Sequence, residues 1–181
     1  MVGSRSNKTT NRTTDPRSKV RRTDREIVAQ EHIAALLENG SVGFIATALD
    51  DQPYLTPNLY WYDAARHKIY FHTAIKGQTR ANVEENPKVC FSIAEMGRLL
   101  PADTALEFSN EYASVVVFGR CKLLKSEEQQ RYALQGLLDK YFPDLKPDVD
   151  YRGITSDELS RTSVFVIEIE SWSGKEKSAS E

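Results

Sequence analysis

Apolar residues recur in two rhythms along this chain. Ala29, Ile33, Leu36 and Leu37 fall at helical offsets, with Gly40 as a stop. Thr23 and Glu26 have capping-box spacing and predict that this helix starts beside them. From Phe44 the rhythm becomes alternation: Ile45, Thr47 and Leu49 share one face of a strand, and Phe44, Ala46 and Ala48 the other. Asp50-Asp51-Gln52-Pro53 predicts a turn, so residues 54–62 are expected to fold back as one hairpin partner. A polar turn at 63–67 precedes a strand at 68–73, and runs at 89–93 and 115–124 predict two more. Ser126 and Gln129 again have capping-box spacing, and Leu134, Leu137, Leu138 and Tyr141 form the apolar stripe of a second helix closed by Pro143 and Pro147. A short helical turn at 156–161 leads to a last strand at 162–170, followed by Trp172-Ser173-Gly174-Lys175.

Many strands at short spacing with two peripheral helices predict a mainly β fold, a closed or nearly closed antiparallel barrel. A parallel doubly wound sheet needs a helix between most strands, and residues 43–73 leave no room for one. The pattern divides the chain into an arm at 1–23, one folded domain at 24–176 and a short polar tail at 177–181. Composition agrees with a globular chain: 181 residues, 40% hydrophobic and 28% charged, with a net charge of −2. There is no apolar run long enough to span a membrane, and the polar, basic start is not that of a secretory signal. Two cysteines, Cys90 and Cys121, lie inside apolar runs, so a reducing, cytoplasmic setting is expected.

Charge is unevenly spread. Residues 1–25 hold eight Lys/Arg against Asp15 and Asp24, a surplus of 8 − 2 = +6, so the remainder carries −2 − 6 = −8. The arm has no aromatic residue to stack on a base, so a solvated leader is expected rather than a nucleic-acid contact. The usual motifs of phosphate-binding loops, dinucleotide folds and nucleophile elbows are absent, and His32, His67 and His72 have no metal-binding spacing. Residues 70–82, continuing to Glu85-Asn86-Pro87, do carry chemistry: a strand ends in a turn and gives way to a helix near Thr79. Helix-start amides, the hydroxyls of Thr73 and Thr79, and the cations Lys76 and Arg80 suit a phosphate monoester, with Gly77 allowing close approach. An ordinary solvated strand-to-helix connection reads the same residues as well.

Several separated blocks carry a family resemblance: residues 53–58, His72-Thr73-Ala74, residues 77–82 with Asn86-Pro87, residues 95–101, 106–109, Tyr112 with 115–119, residues 161–164, and 172–175. In this order, from about residue 24 to 176, they resemble the FMN-binding split-barrel superfamily typified by pyridoxamine 5′-phosphate oxidase. The nitroimidazole-resistance flavoproteins are the nearer resemblance. It implies a six-stranded split β-barrel that forms a homodimer with FMN in the crevice between subunits.

By position, the resemblance places Pro57, Asn58, Leu59 and Tyr60 beside the isoalloxazine, and His72, Thr73 and Ala74 along the ring edge and ribityl chain. Lys76, Gly77, Gln78, Thr79 and Arg80 would hold the phosphate. Trp172 and Lys175 would reach in from the chain end of the other subunit. His72, outward-facing if Ile69 and Phe71 are interior, is the candidate catalytic residue, since it could donate to the flavin or acceptor. Gln78 and Thr79 depart from the oxidase pattern, which has two basic residues there, and the oxidase's Arg-x-His run after Trp172 is missing. A deazaflavin therefore stays open beside FMN. The implied activity is an FMN-dependent oxidoreductase reducing a small planar acceptor such as a nitroaromatic, with electrons from a nicotinamide or a protein donor. A flavin carrier or sensor without turnover, and a haem-binding split barrel, are the alternatives.

Overall fold

The computed structural model describes residues 15–179. In chain order the elements are β1 (Glu26–Ile27), α1 (Gln30–Asn39), β2 (Gly43–Leu49), β3 (Gln52–Asn58), β4 (Tyr60–Asp63), β5 (Lys68–Ala74) and α2 (Gln78–Glu85). Next come β6 (Lys88–Leu100), β7 (Ser109–Leu123), α3 (Glu127–Tyr141), α4 (Ser156–Ser160) and β8 (Thr162–Lys177). The strands form one antiparallel sheet in the order β3-β2-β6-β7-β8-β5-β4, with β1 added to β8.

The two edges of that sheet, β3 and β4, are consecutive in sequence and joined through Leu59. The sheet therefore curls until its edges nearly meet, and the seam of the barrel falls at Leu59. The expected single strand at 54–62 is corrected to two: residues 52–58 pair with β2, and residues 60–63 pair with β5. This break and the short β1 raise the six expected strands to eight. The turn between β2 and β3 is the two-residue Asp50-Asp51, both left-handed at φ 49° and 59°, the geometry that suits a tight hairpin.

The barrel interior is filled by Ile45, Tyr60, Phe71, Phe91, Val117 and Phe165, each fully buried. Phe71 and Phe165 stack at 4.9 Å across β5 and β8, and burying a side chain of this size contributes about 1.5–3 kcal/mol. A second, smaller core lies outside the sheet, where α3 covers Tyr70, Val164 and Val166 with Ala133 and Leu134. β8 is thus buried on both faces along Ser163–Ile167, so its sequence reads as a continuous apolar run.

The expected helix start beside Thr23 is also corrected. Residues 23–25 make one 3₁₀ turn, Glu26 and Ile27 pair with Lys175 and Gly174, and the helix begins at Gln30. Ile27 is buried against the barrel, and that packing overrides the local capping signal. α3 begins where expected, but Ser126 makes no cap hydrogen bond; the capping box is instead at Thr155 and Glu158, opening α4. The final strand runs to Lys177 rather than 170, with a register shift between Phe118 and Gly119 on its partner β7. Residues 1–14 of the expected arm lie outside the described residues, but 15–23 are packed rather than free. Ser18 Oγ donates to Ser171 Oγ at 2.7 Å, Arg17 pairs with Glu170 at 3.0 Å, and Val20 is buried.

α3 can lie close to the sheet because Gly136 faces Trp61: a Cβ there would fall 2.2 Å from the indole. Gly136→Ala raises helix propensity by about 1 kcal/mol, yet the clash costs about 1–3 kcal/mol. The variant is expected to unfold at lower urea than the parent; an unchanged or higher midpoint would mean that α3 is not held against Trp61.

Candidate functional site

The site is built where β5 ends and α2 begins, beside the barrel seam. α2 is fixed from its interior. Asn82, buried, donates to Thr47 Oγ1 on β2 at 2.9 Å and accepts from Gln78 Nε2 at 2.6 Å. Asn86 donates to the Ala48 carbonyl at 2.9 Å. Both asparagines act as pins between α2 and β2.

The start of α2 has no side-chain cap, and its first intrahelical bond runs from Ala81 N–H to the Gly77 carbonyl. The amides of Gln78, Thr79 and Arg80 have no partner among the described residues, the free donors that a helix start leaves. Gly77 is extended, and a Cβ placed on it would meet nothing within 4 Å. The first turn holds no acidic residue, Lys76 is exposed, and the helix dipole adds positive potential. These donors fit a phosphate monoester, which needs several N–H groups and a cation around a space left open.

Two expected contributors are placed differently. Thr79 is buried, and its hydroxyl makes no hydrogen bond among the described residues. Thr73 Oγ1 donates to the adjacent Ala74 carbonyl at 3.0 Å. Arg80 has structural partners as well: it donates to the Ile75 carbonyl at 2.9 Å, to Ser163 Oγ at 3.1 Å and to Glu84 at 2.8 Å. It ties the end of β5 to β8 and stands beside the cradle.

His72 lies on the outer face of β5, opposite the buried Phe71. Its ring makes no hydrogen bond among the described residues and borders an apolar cavity of about 380 Å³ under the end of α3. Leu59, at the seam, lines the same cavity, so the structure brings these two expected residues together. Surrounding protein holds the His72 pKa below its ordinary value by desolvation, favouring the neutral ring at pH 7. Pro57 and Asn58 sit at the end of edge strand β3, paired with Phe44 and Gly43.

Tyr60 and Trp172 do not join this set. Tyr60 is fully buried, its hydroxyl donates to the Leu37 carbonyl at 2.7 Å, and its ring meets Phe91 edge-on. Trp172 is 8% exposed, donates from Nε1 to Gln30 Oε1, and packs on His67 and Tyr62. Both rings are corrected to parts of their own protomer's core, closed in by α1. Lys175 pairs with Glu26 and Ser114, twelve positions along β8 from Ser163, which is paired with Thr73. At roughly 3.3 Å per residue that is about 40 Å of strand, so within one protomer it is remote from the cradle.

The sequence reading missed the anchoring of α3. Lys140 Nζ donates to the Gly40 carbonyl at 2.8 Å and lies 3.7 Å over the Tyr60 ring; burial draws its pKa down to about 8. The Tyr141 hydroxyl accepts from the Tyr60 amide at 3.1 Å and lies 2.9 Å from the Ser41 carbonyl. The signal was present as Tyr141 in the apolar stripe, but no spacing rule links it to Tyr60.

The fold recurs in solved structures. The flavocytochrome Anf3 from Azotobacter vinelandii is 21% identical, with a TM-score of 0.78 over 91% of this chain and 75% of that one. The FAD and heme binding protein from Mycobacterium smegmatis is 20% identical, with a TM-score of 0.77 over 86% and 74% of the two chains. A putative 5-nitroimidazole antibiotic resistance protein from Bacteroides thetaiotaomicron is 18% identical, with a TM-score of 0.70 over 83% and 85%. No curated protein matches the chain. The sequence model described as pyridoxamine 5′-phosphate oxidase matches residues 29–176, from α1 to the end of β8, and the chain therefore belongs to the pyridoxamine 5′-phosphate oxidase-like split-barrel family.

Proposed function

We propose that this protein binds FMN and is a flavin-dependent oxidoreductase, reducing a small planar acceptor such as a nitroaromatic with electrons from a nicotinamide or a reduced partner protein. The observation that carries this reading is the set of three unpartnered amides at Gln78, Thr79 and Arg80, next to Lys76 and at the seam that His72 borders. Bound flavin supplies hydride or single-electron chemistry, so the protein has to bind, orient and shield rather than provide an acid–base pair. The amides of α2 and Lys76 hold the phosphate. Pro57, Asn58 and Leu59 border the ring on the seam side, with Thr73 and Ala74 along the chain between ring and phosphate. His72, neutral and without a protein partner, serves as a hydrogen-bond donor at the ring edge or to the acceptor.

FMN is favoured over a dinucleotide or deazaflavin because one helix start beside the exposed Lys76 matches one phosphate monoester. A second copy of the chain completes the site. The β6–β7 region leaves Met96, Leu99, Leu106 and Phe108 59–94% exposed, an apolar projection that a partner subunit would cover. Lys175, remote from its own cradle, is then placed to serve the other one. The protein is proposed to act in the cytoplasm; among the described residues no helix is long and apolar enough to cross a membrane.

Three outcomes test this. Lys76→Glu replaces the exposed cation beside the start of α2 with a carboxylate, which the dipole tolerates and a bound anion does not. FMN affinity should fall at least tenfold by fluorescence titration (about 1.4 kcal/mol) without loss of thermal stability. Riboflavin, lacking the phosphate, should bind parent and variant alike; equal FMN affinity in the two would remove the phosphate cradle. Light scattering should report a dimer for the parent and a monomer for Phe108→Asp, and a monomeric parent would defeat the two-subunit site.

His72 should titrate below about 6.5 by NMR. The unfolded chain then binds the proton more readily, so the stability contributed by the neutral ring is present above the unfolded value and is lost as pH falls below it. A value above 6.5 would contradict its neutral role.

A further inference from the structure

The cavity beside His72 is walled by Leu134, Leu137, Leu138, Tyr141 and Phe142 of α3 and its end, with Ile154 opposite. At about 380 Å³ it is within the size range of small-molecule pockets. Phe142 is 53% exposed and Leu59 47%, so a substantial apolar surface at the mouth faces water. That is a cost the fold carries unless something apolar sits there.

The side chains of His72, Arg152 and Glu158 also line the cavity. His72 is exposed and has no protein hydrogen-bond partner among the described residues. Arg152 is exposed, and among the described residues its one hydrogen bond, which is also an ion pair, is to Glu158 Oε1 at 2.9 Å. Glu158 is itself committed to the start of α4, where its other oxygen accepts from the Thr155 amide at 2.8 Å and hydroxyl at 2.9 Å. The carboxylate is therefore fixed by the fold, while most of the five N–H donors of Arg152 remain for a ligand. Its surroundings orient it: the loop from 143 to 155 is closed by Asp148 N–H to the Tyr151 carbonyl at 2.7 Å, and Tyr151 Oη accepts from Gln135 at 3.0 Å.

We infer that this cavity is a binding site for an apolar, aromatic-sized organic anion: the ring system lies against the α3 leucines and the anionic group meets Arg152. The inference rests on the proposed flavin reading only in making that molecule the acceptor, since His72 and Leu59 line both the cavity and the seam. Site and ligand class are independent of it.

The test uses the full chain and two dyes that share an apolar body and differ in charge: 1-anilinonaphthalene-8-sulfonate and neutral N-phenyl-1-naphthylamine, both followed by fluorescence. Arg152→Gln should weaken the sulfonate dye at least fivefold and leave the neutral dye unchanged. Phe142→Ser, at an exposed position that does not threaten folding, should weaken both at least fivefold. Equal effects of Arg152→Gln on the two dyes, or no effect of Phe142→Ser on either, would overturn the site. FMN titration of the same proteins separates the two readings. If the dye pattern holds and FMN does not bind, the flavin reading falls and the cavity remains; if FMN binds and the dye pattern fails, the cavity falls alone.

Discussion

Asn82 holds α2 in place from its middle, and the openness of the helix start follows from that. Its amide group is buried, donates to Thr47 Oγ1 and accepts from Gln78 Nε2. A helix start would ordinarily recruit a nearby polar side chain to satisfy its first amides. Here Gln78 is turned back along the helix to Asn82, Thr79 gives no side-chain cap, and Gly77 has no side chain to offer. The amides of residues 78–80 consequently have no partner among the described residues, and water or an anion must serve them. Losing the buried Asn82 bond would cost about 1–3 kcal/mol and would free α2 to shift relative to β2.

The second constraint is topological. Consecutive strands β3 and β4 occupy opposite edges of one sheet, so the barrel has a seam at the single residue between them. β5 is the neighbour of β4, and its end delivers His72 outward and the chain onward to Gly77. Seam, histidine and anion cradle thus adjoin because of strand order. α3 then decides what the outward face of β5 sees. It is anchored at its far end by Lys140 on the Gly40 carbonyl and by Tyr141 against Tyr60, while Gly136 lets it press on Trp61. Between those anchors and the loop to α4, the leucines of α3 leave a cavity rather than a filled core.

Much of this was legible in the chain itself, and the failures have physical causes. Alternation placed β2, and the position of His72 opposite Phe71 followed from period-two geometry. The helix-start reading of residues 77–82 placed the beginning of α2, where amide donors come from backbone, which any sequence supplies once a helix begins. Side-chain roles were harder. Thr79 and Arg80 had the right chemistry in the sequence, yet one is buried and three hydrogen bonds engage the other. Trp172 stood out as a large indole near a polar chain end, but β8 continues to Lys177 and carries it into the core beneath α1. Thr23 and Glu26 matched a capping box locally, and long-range pairing with β8 prevailed. No local rule could link Asn82 to Thr47, thirty-five positions away, or Lys140 to Gly40, one hundred away.

The claim on which the account turns is that an anionic ester docks on the backbone of α2. Amide NMR of the full chain during FMN addition examines it at the atoms concerned. The account predicts that the largest shifts are at the N–H groups of Gln78, Thr79 and Arg80, and that riboflavin leaves those three unmoved. FMN-induced shifts confined to other segments, with these amides unchanged, would contradict it.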